Sequence, residues 1–323
     1  MNNNLFSLCL LPDKARTHVI KSLDYPELIA LSLLSTKLTS LVQSFKIEIS
    51  DLAVNVEENS LCIHVENSIF KIYNDVEARE LGSPLFSLNE IPFTIETSRY
   101  LPEDDLVETF TWSNPKLSFI GWFEHLRSIF TFSESTFNLE TDKEIFDTEA
   151  IRNLLLEWKS VSIEGASTDY TLKICELFSA CTRDFNVDYI NNLAQFPQKF
   201  AISNYDNLRI RHPFTLDDAL ISNSLEICIS NFTIFNFNRF IRNWIRGSNS
   251  RLRKAYWHTL EGILDAQLLK GMQHQTMPEN LERIWNEDEP ITGGIDIRNK
   301  KGVSATLIIN RGNLSQIGMF VWN

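Results

Sequence analysis

Few residues in this chain are of a type and spacing that could do chemistry. His212 stands just ahead of Asp217 and Asp218, an arrangement in which a histidine base could be oriented by a carboxylate. A strand-end histidine followed by a capped helix accounts for the same residues without catalysis, since Thr215 and Asp218 have capping-box spacing. The five cysteines, Cys9, Cys62, Cys175, Cys181 and Cys228, include no C-x-x-C pair, so neither a zinc site nor a disulfide framework is indicated. Cys175 and Cys181 fall on different helix faces and read as core thiols, reduced as in the cytosol or nucleus. Carboxylate clusters at 103–105 and 287–289 read as solvated loops. The six histidines show no metal spacing, and G-x-G-x-x-G, Walker, H-E-x-x-H and G-x-S-x-G motifs are absent. No catalytic residue, metal or cofactor is expected.

Binding chemistry is better represented. Arg239, Arg242, Arg246, Arg251, Arg253 and Lys254 form a basic run with no acid between them, and Trp244 and Trp257 lie within or just past it. Spacings of three and four place Arg239, Arg242 and Arg246 on one helix flank. Such a run reads either as a solvated helix face over core tryptophans or as a docking patch for an acidic protein, because Arg and Trp dominate binding hot spots. The balance of the whole chain disfavours nucleic acid. Its net charge is −12, with 4 basic and 3 acidic residues in 1–45, 9 and 22 in 46–160, and 17 and 17 in 161–323. A phosphate-backbone binder needs net positive surface.

Three helices are predicted to open the chain. Pro12 suits a first turn, followed by Ala15, Val19, Ile20 and Leu23 at helical spacing. Asp24 and Glu27 stand as a capping box for a second helix, PELIALSLL, which is apolar on nearly every side. A helix of that kind must be covered all round. Ser35 or Thr36 caps a third, with Leu38, Leu41, Val42 and Phe45. Residues 5–45 hold 21 apolar residues of 41. Units of about 40 residues rarely build a sufficient core unaided. These helices must therefore pack on the rest of the chain or be covered by another protein, and periodicity does not choose between the two.

Beyond Phe45 the period becomes two. KIEISDLAVNV, LCIHV and IFKIY read as strands, the last two as a hairpin separated by Glu66, Asn67 and Ser68. Helices are expected at 117–130 and 149–158. Strands and helices then alternate, with strand starts roughly 18–27 residues apart, a leucine-rich-repeat-like rhythm without the full signature. A hairpin and a strand ending in MFVW close the chain. The expected fold is α+β or α/β: a small three-helix segment at 1–45, an antiparallel β-rich segment at 46–146 and a strand–helix domain at 147–323. The run Leu5–Leu11 makes a poor signal peptide and no stretch approaches a membrane span, so a soluble intracellular protein is expected.

Several segments resemble a known family. Leu-Leu-Pro-Asp at 10–13, Leu-Asp-Tyr-Pro-Glu-Leu at 23–28 and Ser-Thr-Lys-Leu at 35–38 look like an F-box. NLRIRHPFTLDDALISNS at 207–224, FNRFIRNWIRGSNSRL at 237–252 and the closing DIRNKKG and MFVW resemble nematode F-box proteins with a type 2 F-box-associated domain. The resemblance implies a non-catalytic subunit of a ubiquitin ligase, in which the F-box binds a Skp-type adaptor and, through it, a cullin-RING ligase. The family's adaptor contacts would fall on Leu11, Pro12, Val19, Ile20, Leu23, Leu28, Leu31, Leu34, Leu38 and Leu41. The third helix departs from many F-boxes by carrying Leu38-Thr-Ser-Leu41 where they place a tryptophan. The associated domain would hold an unidentified target protein, with Arg239, Arg242, Arg246, Arg251 and Arg253 as candidate contacts. The alternative is an F-box scaffold acting outside a ligase. Neither nucleic acid nor a membrane is an expected partner, and the cytoplasm or nucleus is the expected location.

Overall fold

Asp24 caps the second helix as its spacing requires: its carboxylate accepts from the Glu27 amide at 2.9 Å, and its own amide donates to Glu27 Oε2 at 3.0 Å. The computed structural model describes residues 8–58, 60–73, 85–89, 94–100, 107–113, 116–188, 197–211, 214–230, 232–259, 262–285, 289–311 and 315–322. Contacts divide the chain into two units, the first running to Thr136 and taking in Ile145–Leu154, the second formed by Phe137–Glu144 and Leu155 onward. His212 and residues 103–105 lie outside the described residues.

In the first unit a 3-10 turn at Leu8–Leu10 precedes α1 (Asp13–Ser22), α2 (Tyr25–Leu33) and α3 (Thr36–Gln43). Then come β1 (Ile47–Val56), β2 (Ser60–Val65), β3 (Ser68–Tyr73), β4 (Thr94–Tyr100) and β5 (Val107–Ser113). Next follow α4 (Phe119–Ile129), β6 (Phe130–Leu139, in this unit to Thr136) and α5 (Thr148–Arg152). The strand order is β6-β1-β2-β3-β4-β5, antiparallel from β1 to β5. Glu66, at the β2–β3 turn, takes a left-handed φ of 52°, as tight hairpins demand. α4 buries Phe119, Trp122, Phe123, Leu126 and Ile129, a stripe at spacings of three and four. Trp122 stacks on Phe70 of β3, with ring centroids 6.2 Å apart. The helix expected at 149–158 is only the five residues of α5, capped by Asp147. The three opening helices and the antiparallel strands thus share one unit, with no division at Phe45.

The second unit alternates β7 (Trp158–Ile163), α6 (Thr168–Phe178), β8 (Thr182–Val187), α7 (Gln198–Ala201), β9 (Asn207–Ile210), α8 (Leu216–Ile221), β10 (Glu226–Ser230), α9 (Ile234–Arg246) and β11 (Lys254–Thr259). It closes with α10 (Asp265–Leu268), β12 (His274–Thr276), β13 (Glu282–Trp285), β14 (Glu289–Thr292), β15 (Ile295–Arg298), β16 (Ser304–Asn310) and β17 (Ser315–Trp322). β7 to β11 are parallel neighbours in chain order, and β11-β17-β16-β15-β12 continue antiparallel. The alternation of strand and helix is therefore present. The strands begin at Trp158, Thr182, Asn207, Glu226 and Lys254, an unequal spacing unlike a regular leucine-rich array.

Trp244 and Trp257 are core residues. Phe237 meets the Trp257 ring edge-on at 4.2 Å and Phe240 at 5.1 Å, which seats α9 on β11. Gly247 ends α9 with a φ of 114°, and its amide closes onto Asn243 and Trp244 carbonyls. Glu289, expected in a solvated loop, instead accepts from Lys254 Nζ at 2.6 Å. That ammonium also stands 5.0 Å from the Tyr256 and Trp285 rings and 5.4 Å from Phe320. Three aromatic faces and a carboxylate make a cage around it.

One buried side chain organises the loop after α10. Asn238 of α9 directs its amide to the carbonyls of Gln267, Leu268 and Lys270 at 3.4, 2.7 and 3.0 Å. Asn238→Ala should leave these buried carbonyls without that donor, a loss of about 1–3 kcal/mol. Amide exchange should accelerate in residues 264–273 and not in β7–β9, as hydrogen-exchange mass spectrometry would measure.

Candidate functional site

The opening helices are partly buried and partly bare. Ile20, Leu28, Ile29 and Val42 are buried within the first unit. α2 and α3 both contact α4. Tyr25 packs edge-on against Phe130 at 5.8 Å. Ser32 Oγ donates to the Ile29 carbonyl at 2.7 Å, so its 2.7 Å contact with His125 Nε2 requires the ring N–H to donate. Burial holds the His125 pKa below the ordinary histidine value. Thr39 Oγ1 reaches the Ser32 carbonyl at 2.6 Å and ties α3 to α2.

What remains outside is apolar. Leu10 is 85% exposed and Leu34 is 73% exposed, while Leu11, Val19, Leu23, Leu31, Leu38 and Leu41 are half-buried. Pro12 is exposed. Ile20, Leu23 and Leu28 line a cleft of about 450 Å³ together with Tyr25, Phe45 and Ile47. Of the ten positions implied by the family resemblance, eight offer surface, and Ile20 and Leu28 serve the unit's own core.

A model of the F-box domain matches residues 8–50, and one described as F-box associated matches residues 196–256. The chain carries an F-box and an F-box-associated domain. No curated protein and no solved structure matches it. F-box domains generally bind the Skp adaptor of cullin-RING ligases, and F-box proteins are generally non-catalytic adaptors. The F-box match spans η-turn, α1, α2 and α3, the elements that present the bare leucines. The F-box-associated match runs from α7 into β11, across the helices α8 and α9.

Within that second segment the candidate arginines separate. Arg239 lies over the Phe235 ring at 5.7 Å, and Arg251 donates to Asn204 Oδ1 at 2.8 Å. Arg253 is exposed. Arg242 and Arg246 line a cavity of about 280 Å³ with Arg298 and Lys300, two cations that reasoning from the sequence did not assign to a site. The signal was in the segment DIRNKKG, but nothing in spacing said it would meet α9.

Asp218 closes the α8 capping box, its Oδ2 accepting from the Thr215 amide at 2.9 Å and hydroxyl at 2.7 Å. Burial pushes the Cys62 and Cys175 thiols up to about 12, which leaves them protonated at neutral pH. Among the described residues no group of three or more His, Cys, Asp or Glu side chains could hold a metal ion. No helix there is long and apolar enough to cross a membrane.

Two predictions distinguish core from surface in the F-box. Leu28→Asp should unfold the first unit, whereas Leu34→Asp should move its thermal stability by no more than about 0.5 kcal/mol. Thermal melts followed by circular dichroism read both. Burial also depresses the His64 pKa, so the unfolded first unit takes up protons before the folded one does. Its stability should be full above about pH 6.5, the ordinary histidine value, and fall as the solution is acidified. His125→Asn should flatten that fall in urea titrations at stepped pH.

Proposed function

We propose that this protein is the substrate-recruiting subunit of a Skp-cullin-F-box ubiquitin ligase. The observation that carries the reading is the exposure of Leu10 and Leu34 on an F-box whose neighbouring leucines are only half-buried. A partner seated on the outer leucines would remove from water what the chain itself leaves bare. Leu11, Pro12, Val19, Leu31, Leu38 and Leu41 would extend that contact, and Ile20 and Leu28 would support it from beneath. The second unit, with its unevenly spaced strand–helix ladder, would hold a target protein. No bond chemistry is required of either unit. Tethering raises the effective concentration of the target near the ligase. The complex would act in the cytoplasm or nucleus.

A second reading, an F-box scaffold outside any ligase, is favoured by one observation. The Ser32–His125 hydrogen bond and the burial of Ile20, Leu28 and Val42 give the helices a structural role within their own unit.

Purified chain and purified Skp adaptor should associate at micromolar concentration or tighter in surface plasmon resonance. Leu34→Asp combined with Leu38→Asp should weaken that binding by about tenfold or more, as loss of an anchor of about 2 kcal/mol implies. Absence of any association at micromolar concentration would sink the ligase reading. Adaptor binding without recruitment of a cullin would favour the scaffold.

A further inference from the structure

We infer that the cavity at the C-terminal end of α9 is a recognition site for a phosphorylated side chain of the recruited target. The inference rests on the substrate-recruiting role proposed above and names the class of target. Four cations converge there from two separate stretches: Arg242 and Arg246 from α9, and Arg298 and Lys300 from the end of β15 and its turn. Ile245, Gly271, Met272 and Gln273 complete the wall, and no carboxylate lines it. Among the described residues none of the four makes an ion pair, while other exposed cations such as Lys199, Arg211 and Arg311 each have a carboxylate partner. The bond made by Arg298, to Ser304 Oγ, is long at 3.4 Å. Four like charges gathered in one concavity repel one another, and an anion placed among them relieves the repulsion. In a chain of net charge −12 this clustering does not come from general basicity.

The site is built before any ligand arrives. Asn238 pins the loop that leads to Gly271 through three carbonyls. The Lys300 amide donates to the Ile245 carbonyl at 2.9 Å, joining the β15 turn to the helix end. Asn299 Oδ1 accepts from the amides of Lys301 and Val303 at 2.9 and 3.0 Å, which fixes the turn that carries Lys300. Gly271 takes a φ of +73°, and a Cβ built there would stand 3.8 Å from Arg242 Cζ. The helix end would ordinarily turn bare carbonyls toward an anion. Here the carbonyls of Asn243, Trp244 and Ile245 already accept from Gly247 and Lys300 amides.

The cation set fits a phosphate monoester better than a carboxylate. Guanidinium forks pair two oxygens at a time, and a phosphoryl group offers three oxygens with a charge near −2. A nucleic-acid strand would want a basic track with exposed rings for its bases. The tryptophans of this stretch, Trp244 and Trp257, are buried and offer no ring for a base to stack on.

Fluorescence anisotropy with the full chain tests this, using a degenerate labelled peptide pool with a fixed central phosphoserine. The same pool with serine or glutamate at that position, and a mixed-sequence single-stranded oligonucleotide, are run at equal ionic strength. The phosphoserine pool should bind at least about tenfold more tightly than the glutamate pool, and Arg242→Gln with Arg246→Gln should remove about tenfold or more of that affinity. Lys300→Gln should weaken it separately, and Lys199→Gln, on the exposed side of α7, should leave it unchanged. Equal affinity for phosphoserine and glutamate would overturn the inference. So would a double variant that melts like the parent and binds like it, or an oligonucleotide that competes at lower concentration than the phosphoserine pool. The adaptor assay on the same variants keeps the two readings apart. Lost phosphoserine preference with adaptor binding intact defeats this inference alone, and lost adaptor binding with the preference intact defeats the ligase reading alone.

Discussion

A nine-residue helix that is apolar on nearly every side has to be covered on nearly every side, and α2 sets this requirement for the first unit. α4 meets half of it. Its stripe of Phe119, Trp122, Phe123, Leu126 and Ile129 fills the unit's core, and α2 and α3 rest on the same helix. The Ser32–His125 bond fixes that contact with a polar link inside an apolar seam. The outer half is left to Leu34 and its half-buried neighbours. Packing on the chain's own residues therefore covers the inner side of these helices, while Leu34, just past the end of α2, stays exposed.

The second unit relies on polar side chains placed at the joints between elements. Asn249, itself left-handed at a φ of 49°, directs its amide to the Ala219 and Ser222 carbonyls at 2.9 Å and holds the end of α8. Asn238 does the same for the α10 loop. Lys254 is held differently. Burial works against its charge, but Glu289 and Tyr256 act more strongly and raise its pKa overall. The ring cage gathers Tyr256 of β11, Trp285 of β13 and Phe320 of β17 around one cation. Strands distant in sequence thereby share one anchor.

Local signals in the sequence foretold local structure well. The capping pairs Asp24–Glu27 and Thr215–Asp218, the Glu66 turn, the α9 stop at Gly247 and the alternation of strand and helix after Trp158 were all legible, because each depends on residues a few positions apart. What depended on distant partners was not. α5 stops after five residues because the chain from Trp158 is drawn into β7, where Trp158 packs against Phe137 and Phe178 at 5.9 and 6.0 Å. Glu289 reads as a loop acid until Lys254 is placed beside it. Arg298 and Lys300 read as ordinary turn cations, since only the tertiary fold brings them to Arg242 and Arg246. In the F-box, helical spacing marked every apolar position but could not separate Leu28, which faces inward, from Leu34, which faces out.

The uneven spacing of the parallel strands has its own consequence. Asp184, Asn207, Glu226 and Lys254 align in one row across the ladder, although the chain between successive members differs in length. Backbone pairing is thus indifferent to how long each crossover is. Insertions and deletions can accumulate in those connections, and reshape whatever they present to solvent, while the row of paired strands stays in step. Such a ladder lets one scaffold vary its exposed surface without refolding.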